Sequence, residues 1–226
     1  MTILLYLTAA AAAYLICGIN PAIVLSRVVY HTDIREKGSG NPGFTNFRRT
    51  FGGPWAWVVL VCDLTKAALV ILLFSRLFDR AGLGRQWGAA YTGLFAMLGH
   101  AYPVWYRFRG GKGFLVSMSL LWCIDWRAGL FALVLLCVLL LTTQYMSLST
   151  VVSMVCAAPV LIFCGTPWHV TLAYAVSVLF MAYRHGENFK RLKMERNRNS
   201  SFAENNAVPA YREKRRICSL RRFFLL

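Results

Sequence analysis

Three short polar segments of this chain concentrate the residue types that handle phosphate. The first runs from Asp33 to Arg49 and reads D-I-R-E-K-G-S-G-N-P-G-F-T-N-F-R-R. Gly38, Gly40 and Gly43 let backbone N–H groups turn inward and approach an anion closely. Ser39, Asn41, Thr45 and Asn46 add neutral polar groups, and Arg49 adds a planar fork matched to phosphate oxygens. The literal G-x-G-x-x-G is not a dinucleotide fingerprint, because that motif follows a strand and opens a helix in a βαβ unit. This one follows a long apolar run. A flexible loop of turn residues explains the same composition on its own.

The second segment spans Gly99–Gly113 and ends R-G-G-K-G, with Gly110, Gly111 and Gly113 around Lys112. A helix beginning there presents free N–H groups beside a lysine, which suits an anion. It is not a Walker A loop, since the first glycine and the Ser or Thr after the lysine are missing. The plain alternative is a basic loop beside a membrane, with His100 packed at a helix end. The third segment is Tyr183–Leu192, where His185, Glu187, Asn188 and Arg191 follow the last apolar run. At helical spacing His185 and Asn188 share a face, as do Asn188 and Arg191. A snorkelling helix end gives the same pattern.

The elements that must position these segments are membrane helices. Of 226 residues, 58% are hydrophobic and 15% charged, against about 45–50% and 25% in soluble domains. The apolar residues form seven candidate spans, at about 2–29, 54–75, 87–105, 113–124, 128–143, 148–164 and 168–183, near the length that crosses a bilayer. The first lacks a charged leader and continues past Pro21, so it reads as a retained span. Seven cysteines, an odd number with no C-x-x-C, read as small hydrophobes, and no metal or cofactor is expected.

The charge of +16 is explained by membrane topology rather than nucleic acid. Arg35, Lys37, Arg48, Arg49, Arg107, Arg109, Lys112 and the basic tail all fall on one side when seven spans alternate. By the positive-inside rule that side is cytoplasmic and the N-terminus lies outside. The fold class is therefore all-α and polytopic: a membrane domain over 1–192, and a basic tail over 193–226 that is disordered or lies on the membrane surface. Asp63 and Lys66, three apart inside the second span, read as a structural pair facing the bundle. Gln144, Ser147 and Ser149 sit at a turn on the cytoplasmic side, where hydroxyls often cap helices.

Taken together and in order, these segments resemble the bacterial acyl-phosphate:glycerol-3-phosphate acyltransferases, the PlsY family. The resemblance covers roughly 14–192. It rests on D-I-R-x-x-G-S-G-N-P-G-x-T-N-x-x-R at 33–49, G-H-x-x-P-V at 99–104, R-G-G-K-G at 109–113 and R-H-x-E-N-x-K-R-L at 184–192, with D-x-x-K at 63–66 and Y-x-S-L at 145–148. It implies a multi-pass enzyme of the bacterial inner membrane with its site facing the cytoplasm. Such an enzyme moves a fatty acyl group from acyl phosphate to the 1-hydroxyl of glycerol 3-phosphate, giving lysophosphatidic acid. By the same resemblance Ser39, Arg49, Lys112, His185 and Asn188 are catalytic. The glycines, Asn41, Thr45, Asn46 and Ser147 hold phosphate, and Asp63, Lys66, Glu187 and Arg191 are supports. Its partners are the two substrates and membrane lipids, with no nucleic acid; the oligomeric state is left open, a monomer included. The chain departs from the family pattern at Phe44 (usually Ala), at Ile19-Asn20 (commonly Ser-Ile), at Gln144 (often Arg) and at Ala67 (Gly). A transporter or flippase for a phosphorylated solute or lipid, or an impaired relative of the enzyme, are the competing expectations.

Overall fold

The computed structural model describes residues 2–190 and 194. The chain divides into two units, Met1–His185 and Gly186–Leu226. In the second unit 186–190 are helical, and Lys190 pairs with Glu187 at 2.8 Å, both largely exposed. Arg191 and the tail over 195–226 lie outside the described residues.

The first unit is helical throughout its regular structure: α1 (Thr2–Gly18), α2 (Pro21–Tyr30), α3 (Phe44–Phe51), α4 (Trp55–Arg80), α5 (Arg85–Ala101), α6 (Phe114–Ile124), α7 (Trp126–Thr143), α8 (Met146–Phe163) and α9 (Trp168–Arg184), with 3-10 turns at Ile34–Glu36 and Val104–Tyr106. Four stretches are long and apolar enough to cross a bilayer by themselves: Thr2–Tyr30, Trp55–Arg80, Trp126–Thr143 and Met146–Phe163. α6 is apolar but shorter.

Packing shows what kind of solvent the fold is built for. Small residues fill the inside: Ala9, Ala13 and Cys17 at every fourth position of α1, and Ala89, Ala90 and Ala96 of α5, are all fully buried. Large ones point outward, among them Leu69, Leu73, Leu141, Ile162 and Leu179. Lipid-embedded bundles are arranged this way, because chains outside are as apolar as leucine and close backbone approach supplies the attraction. At Gly99 an added Cβ would run into the backbone of Tyr14, so α1 and α5 meet backbone to backbone. Cys137 faces outward rather than inward, and the six described cysteines are all free.

The first span is not one helix. It breaks at Ile19-Asn20, where Asn20 caps α2: its side chain accepts from Ile23 N at 3.1 Å and donates to Pro42 O at 3.0 Å. Pro21 at the first helical position fits this start. Asn20 is buried, so it ties the glycine loop to the bundle. Asn20→Ala is expected to lower stability by about 1–2 kcal/mol, the cost of a lost cap and an unpaired carbonyl. Denaturation in detergent measures this, and an unchanged midpoint would contradict it.

Candidate active site

The glycine loop is organised by Asn46, a buried side chain in the first turn of α3. Its Oδ1 accepts from Ser39 N at 2.9 Å and from Arg49 Nη2 at 3.3 Å; its Nδ2 donates to Lys37 O at 3.0 Å. One amide therefore brings Ser39 and Arg49 together. Gly38 sits at φ +58, and a Cβ there would collide with the Asn46 side chain. Gly40 bonds back to Lys37 O, Gly43 N reaches Asn41 O, and Gly43 is the cap residue of α3. Thr45 and Arg49 are exposed on α3. Phe44 does not fill the loop. Its ring packs on Trp57 of α4, centroids 5.4 Å apart, and joins the small core of Ile23, Ile34 and Phe47.

The second segment turns back under α5. Gly110 N and Gly111 N donate to the carbonyls of Ala101 and His100, at 3.1 Å each. The buried His100 ring lies against Gly111 so closely that a Cβ would strike its Nε2. From the other side Arg184, at the end of α9, donates from Nη2 to Gly110 O at 3.2 Å and Gly111 O at 3.3 Å, and its guanidinium lies 4.9 Å from the Tyr102 ring centroid. Both carbonyls are thereby engaged, which fixes the turn that carries the half-buried Lys112. Gly113 then starts α6 at φ +82, and the unpaired N–H groups of a first helical turn favour an anion.

His185 is buried just past α9. Its Nδ1 donates to Met181 O at 2.8 Å, which leaves Nε2 with the lone pair. Burial pushes its pKa down from 6.5 to about 4, with the charges of Lys112 and Arg184 adding to the fall and the Met181 bond opposing it. His185 is thus neutral at pH 7. Because the folded value lies below the unfolded one, its neutral form contributes stability that is complete above about pH 6.5 and lost as pH falls towards 4. The loss is at most about 1.4 kcal/mol per pH unit. Acidification from pH 7 to 4.5 should lower the melting midpoint, and His185→Gln should flatten that slope. Equal slopes for both proteins would contradict the burial argument.

Under the glycine turn lies a buried charge cluster. Asp63 Oδ1 is 2.8 Å from Lys66 Nζ and 3.6 Å from His100 Nδ1, and Lys66 Nζ donates to Ile19 O at 2.6 Å and lies 3.4 Å from His100 Nδ1. Asp63 Oδ1 is held by charge rather than by an aligned hydrogen bond. A continuous set of contacts therefore runs from Pro42 through Asn20 and Ile19 to Lys66, Asp63, His100 and Gly111. Ala67, beside this pair, is fully buried. Ser147 lies in the first turn of α8, where its carbonyl accepts from Thr150, and Gln144 ends α7 in the left-handed region. Asn188 and Glu187 belong to the second unit. Sequence reasoning gave Asn20, His100 and Arg184 no task in the site; their signals were Asn before Pro, His before the turn, and Arg directly before His185.

A helical membrane bundle carrying a lysine-bearing glycine turn beside a buried histidine defines a class: an integral membrane protein with an anion-suited polar site. Comparison with known proteins makes the class specific. The family model described as glycerol-3-phosphate acyltransferase matches residues 7–195. The chain is 32% identical over 194 residues to the glycerol-3-phosphate acyltransferase of Trichodesmium erythraeum (strain IMS101), covering 80% of this chain and 85% of that one. It is 35% identical over 189 residues to that of Rhodopseudomonas palustris (strain BisB5), covering 84% and 93%. Two crystal structures of the integral membrane glycerol 3-phosphate acyltransferase PlsY (YgiH) share the fold. The glycerol 3-phosphate form has a TM-score of 0.77 at 30% identity, and the lysophosphatidic acid form 0.74 at 29%, each covering 84% of this chain and 93% of that one. The chain belongs to the glycerol-3-phosphate acyltransferase family.

Proposed function

We propose that the chain transfers a fatty acyl group from acyl phosphate to the 1-hydroxyl of glycerol 3-phosphate, releasing lysophosphatidic acid and inorganic phosphate. Acyl transfer to glycerol 3-phosphate follows from the family. The donor, the position acylated and the residue roles are what the motif resemblance implies. The observation in the structure that supports this reading is the glycine turn at 110–113. It holds Lys112 beside neutral His185, with both of its outward carbonyls tied to Arg184 and His100 packed beneath.

Acyl phosphate arrives activated, so the enzyme's work is positioning and charge stabilisation. The acceptor oxygen attacks the acyl carbon, the bond from that carbon to the phosphate oxygen breaks, and phosphate leaves. Lys112 and the adjoining N–H groups stabilise the leaving phosphate. Ser39, Arg49 and the loop at 38–46 hold the phosphate of the acceptor, and Ser147 is assigned to phosphate binding by sequence alone. His185, with its low pKa, is a weak base at pH 7. The proton of the hydroxyl therefore goes to the departing phosphate, while His185 orients the acceptor; the same role for Asn188 is assigned by sequence alone. Glu187 and Arg191 are assigned to support by sequence alone.

The basic residues favour seven crossings, an outer N-terminus, and a site on the cytoplasmic face of a bacterial inner membrane. Donor choice is the testing experiment. Purified full-length protein with glycerol 3-phosphate should form lysophosphatidic acid from palmitoyl phosphate and none from palmitoyl-CoA. Equal use of the thioester would overturn the donor assignment. Single cysteines at 39 and 112 in a background without native cysteines should both be labelled from the cytoplasmic side.

A further inference from the structure

A cavity of about 660 Å³ opens between the loop after α2 and the loop after α5. Ser39, Arg49, Lys112 and His185 are not among its walls. Arg27, Arg35, Arg107 and Arg109 line it against Asp33 and Glu36, an excess of two positive charges. Arg27 and Arg35 are fixed in place by Asp33, at 2.8 and 2.7 Å, and Arg35 also donates to Tyr106 O at 3.0 Å. Both guanidinium groups lie within 6 Å of the Tyr106 ring centroid, at 5.9 and 5.8 Å. The side chains of Arg107 and Arg109 are exposed and carry no hydrogen bond or ion pair among the described residues.

The backbone holds this arrangement against its own preference. Arg107 and Phe108 are consecutive non-glycine residues in the left-handed region, at φ +56 and +59. Bonds from Phe108 N to Pro103 O and from Arg109 N to Tyr106 O hold them there. Such strain persists only where the surroundings impose it, and it is common at ligand clamps. The rim is apolar. Trp105, more than half exposed, donates to Leu15 O at 3.0 Å and so lies against α1. Leu15 and Ile16 of that helix, Ile19 just past its end, and Phe108 beside the cavity, are exposed apolar surface. Basic and aromatic residues meeting an apolar helix face mark the headgroup level of a bilayer.

We propose that this cavity is a second, non-catalytic site for the headgroup of an anionic phospholipid. The lipid phosphate sits between Arg107 and Arg109 over Tyr106, and its acyl chains run along α1. The inference does not depend on the acyl donor or on the residue roles assigned to the reaction. Binding to the full-length protein in detergent, measured by native mass spectrometry, tests it. The probes are a short-chain phosphatidylglycerol, phosphatidylcholine of the same chain length, and inorganic phosphate. The anionic lipid should bind about 25-fold more tightly than the zwitterionic one, since Arg107 and Arg109 each contribute about fivefold. Arg107→Gln should weaken phosphatidylglycerol binding about fivefold and Glu36→Gln should strengthen it by a similar factor, with smaller changes for phosphatidylcholine, whose choline offsets its phosphate. Equal binding of the two lipids, or displacement of phosphatidylglycerol by equimolar inorganic phosphate, would overturn the proposal; the second would show a soluble-phosphate site. Should Arg107→Gln not fold, unchanged binding in Glu36→Gln is sufficient to reject it.

Discussion

Lys112→Ala is expected to reduce turnover at least about 100-fold, a loss of roughly 3 kcal/mol or more in the transition state. Lys112 stands in a turn whose carbonyls are bonded to Arg184 and whose floor is the buried His100 ring. A lysine fixed this way needs no reorganisation as charge builds on a leaving phosphate. Arg184 and His100 still hold the turn in this variant, so turnover should fall far more than the melting midpoint. Cys137→Ala, on the outward face of α7, should leave both unchanged. Retention of more than half the activity in Lys112→Ala would remove the glycine turn from the mechanism.

The largest effect on stability is expected from Asp63→Ala. Asp63 and Lys66 are both shielded, with side-chain exposures of 2% and 12%. Removing the carboxylate leaves the ammonium with no counter-charge, held by Ile19 O and the neutral His100 Nδ1. Breaking one side of a buried pair costs about 3–5 kcal/mol, because a charge is stranded. The double variant Asp63→Leu/Lys66→Met should recover much of that loss, since an apolar pair strands nothing. The double variant should still turn over slowly if the cluster's task is to place His100 under Gly111. A single variant as stable as the parent would show that the pair contributes nothing, and denaturation of both proteins in one detergent distinguishes these outcomes.

Much of this architecture was legible in the amino-acid order, for a physical reason. A helix in lipid must satisfy its own backbone and present apolar side chains for some twenty residues, so run length alone marked the spans. α4 at Trp55–Arg80, α7 at Trp126–Thr143 and α8 at Met146–Phe163 follow those runs closely. The break at Ile19-Asn20 was harder, because apolar residues continue on both sides of it; the cap of Asn before Pro21 was its only local sign. α3 was hidden in what reads as a polar loop. Phe44, Phe47 and Phe51 fall at helical spacing on its inner side, yet eight residues with two arginines carry little weight on their own. The phosphate-suited segments announced themselves through glycine and arginine. What supports them did not. Arg184 on the glycine carbonyls, and His100 against Gly111 and within 3.6 Å of Asp63, are contacts between residues far apart in the chain, and no spacing rule encodes those.

In the proposed reaction two phosphorylated substrates meet at one site and the acyl group passes directly from acyl phosphate to the 1-hydroxyl of glycerol 3-phosphate, with no side chain as an intermediate carrier. Isotope exchange measures this most directly. Purified protein, palmitoyl phosphate and radiolabelled inorganic phosphate are incubated first without and then with glycerol 3-phosphate. Direct transfer predicts no label in palmitoyl phosphate before the acceptor is added, and lysophosphatidic acid once it is present. Label entering palmitoyl phosphate without acceptor, at a rate near that of turnover, would reveal an acyl-enzyme, and no lysophosphatidic acid after addition would contradict the account altogether.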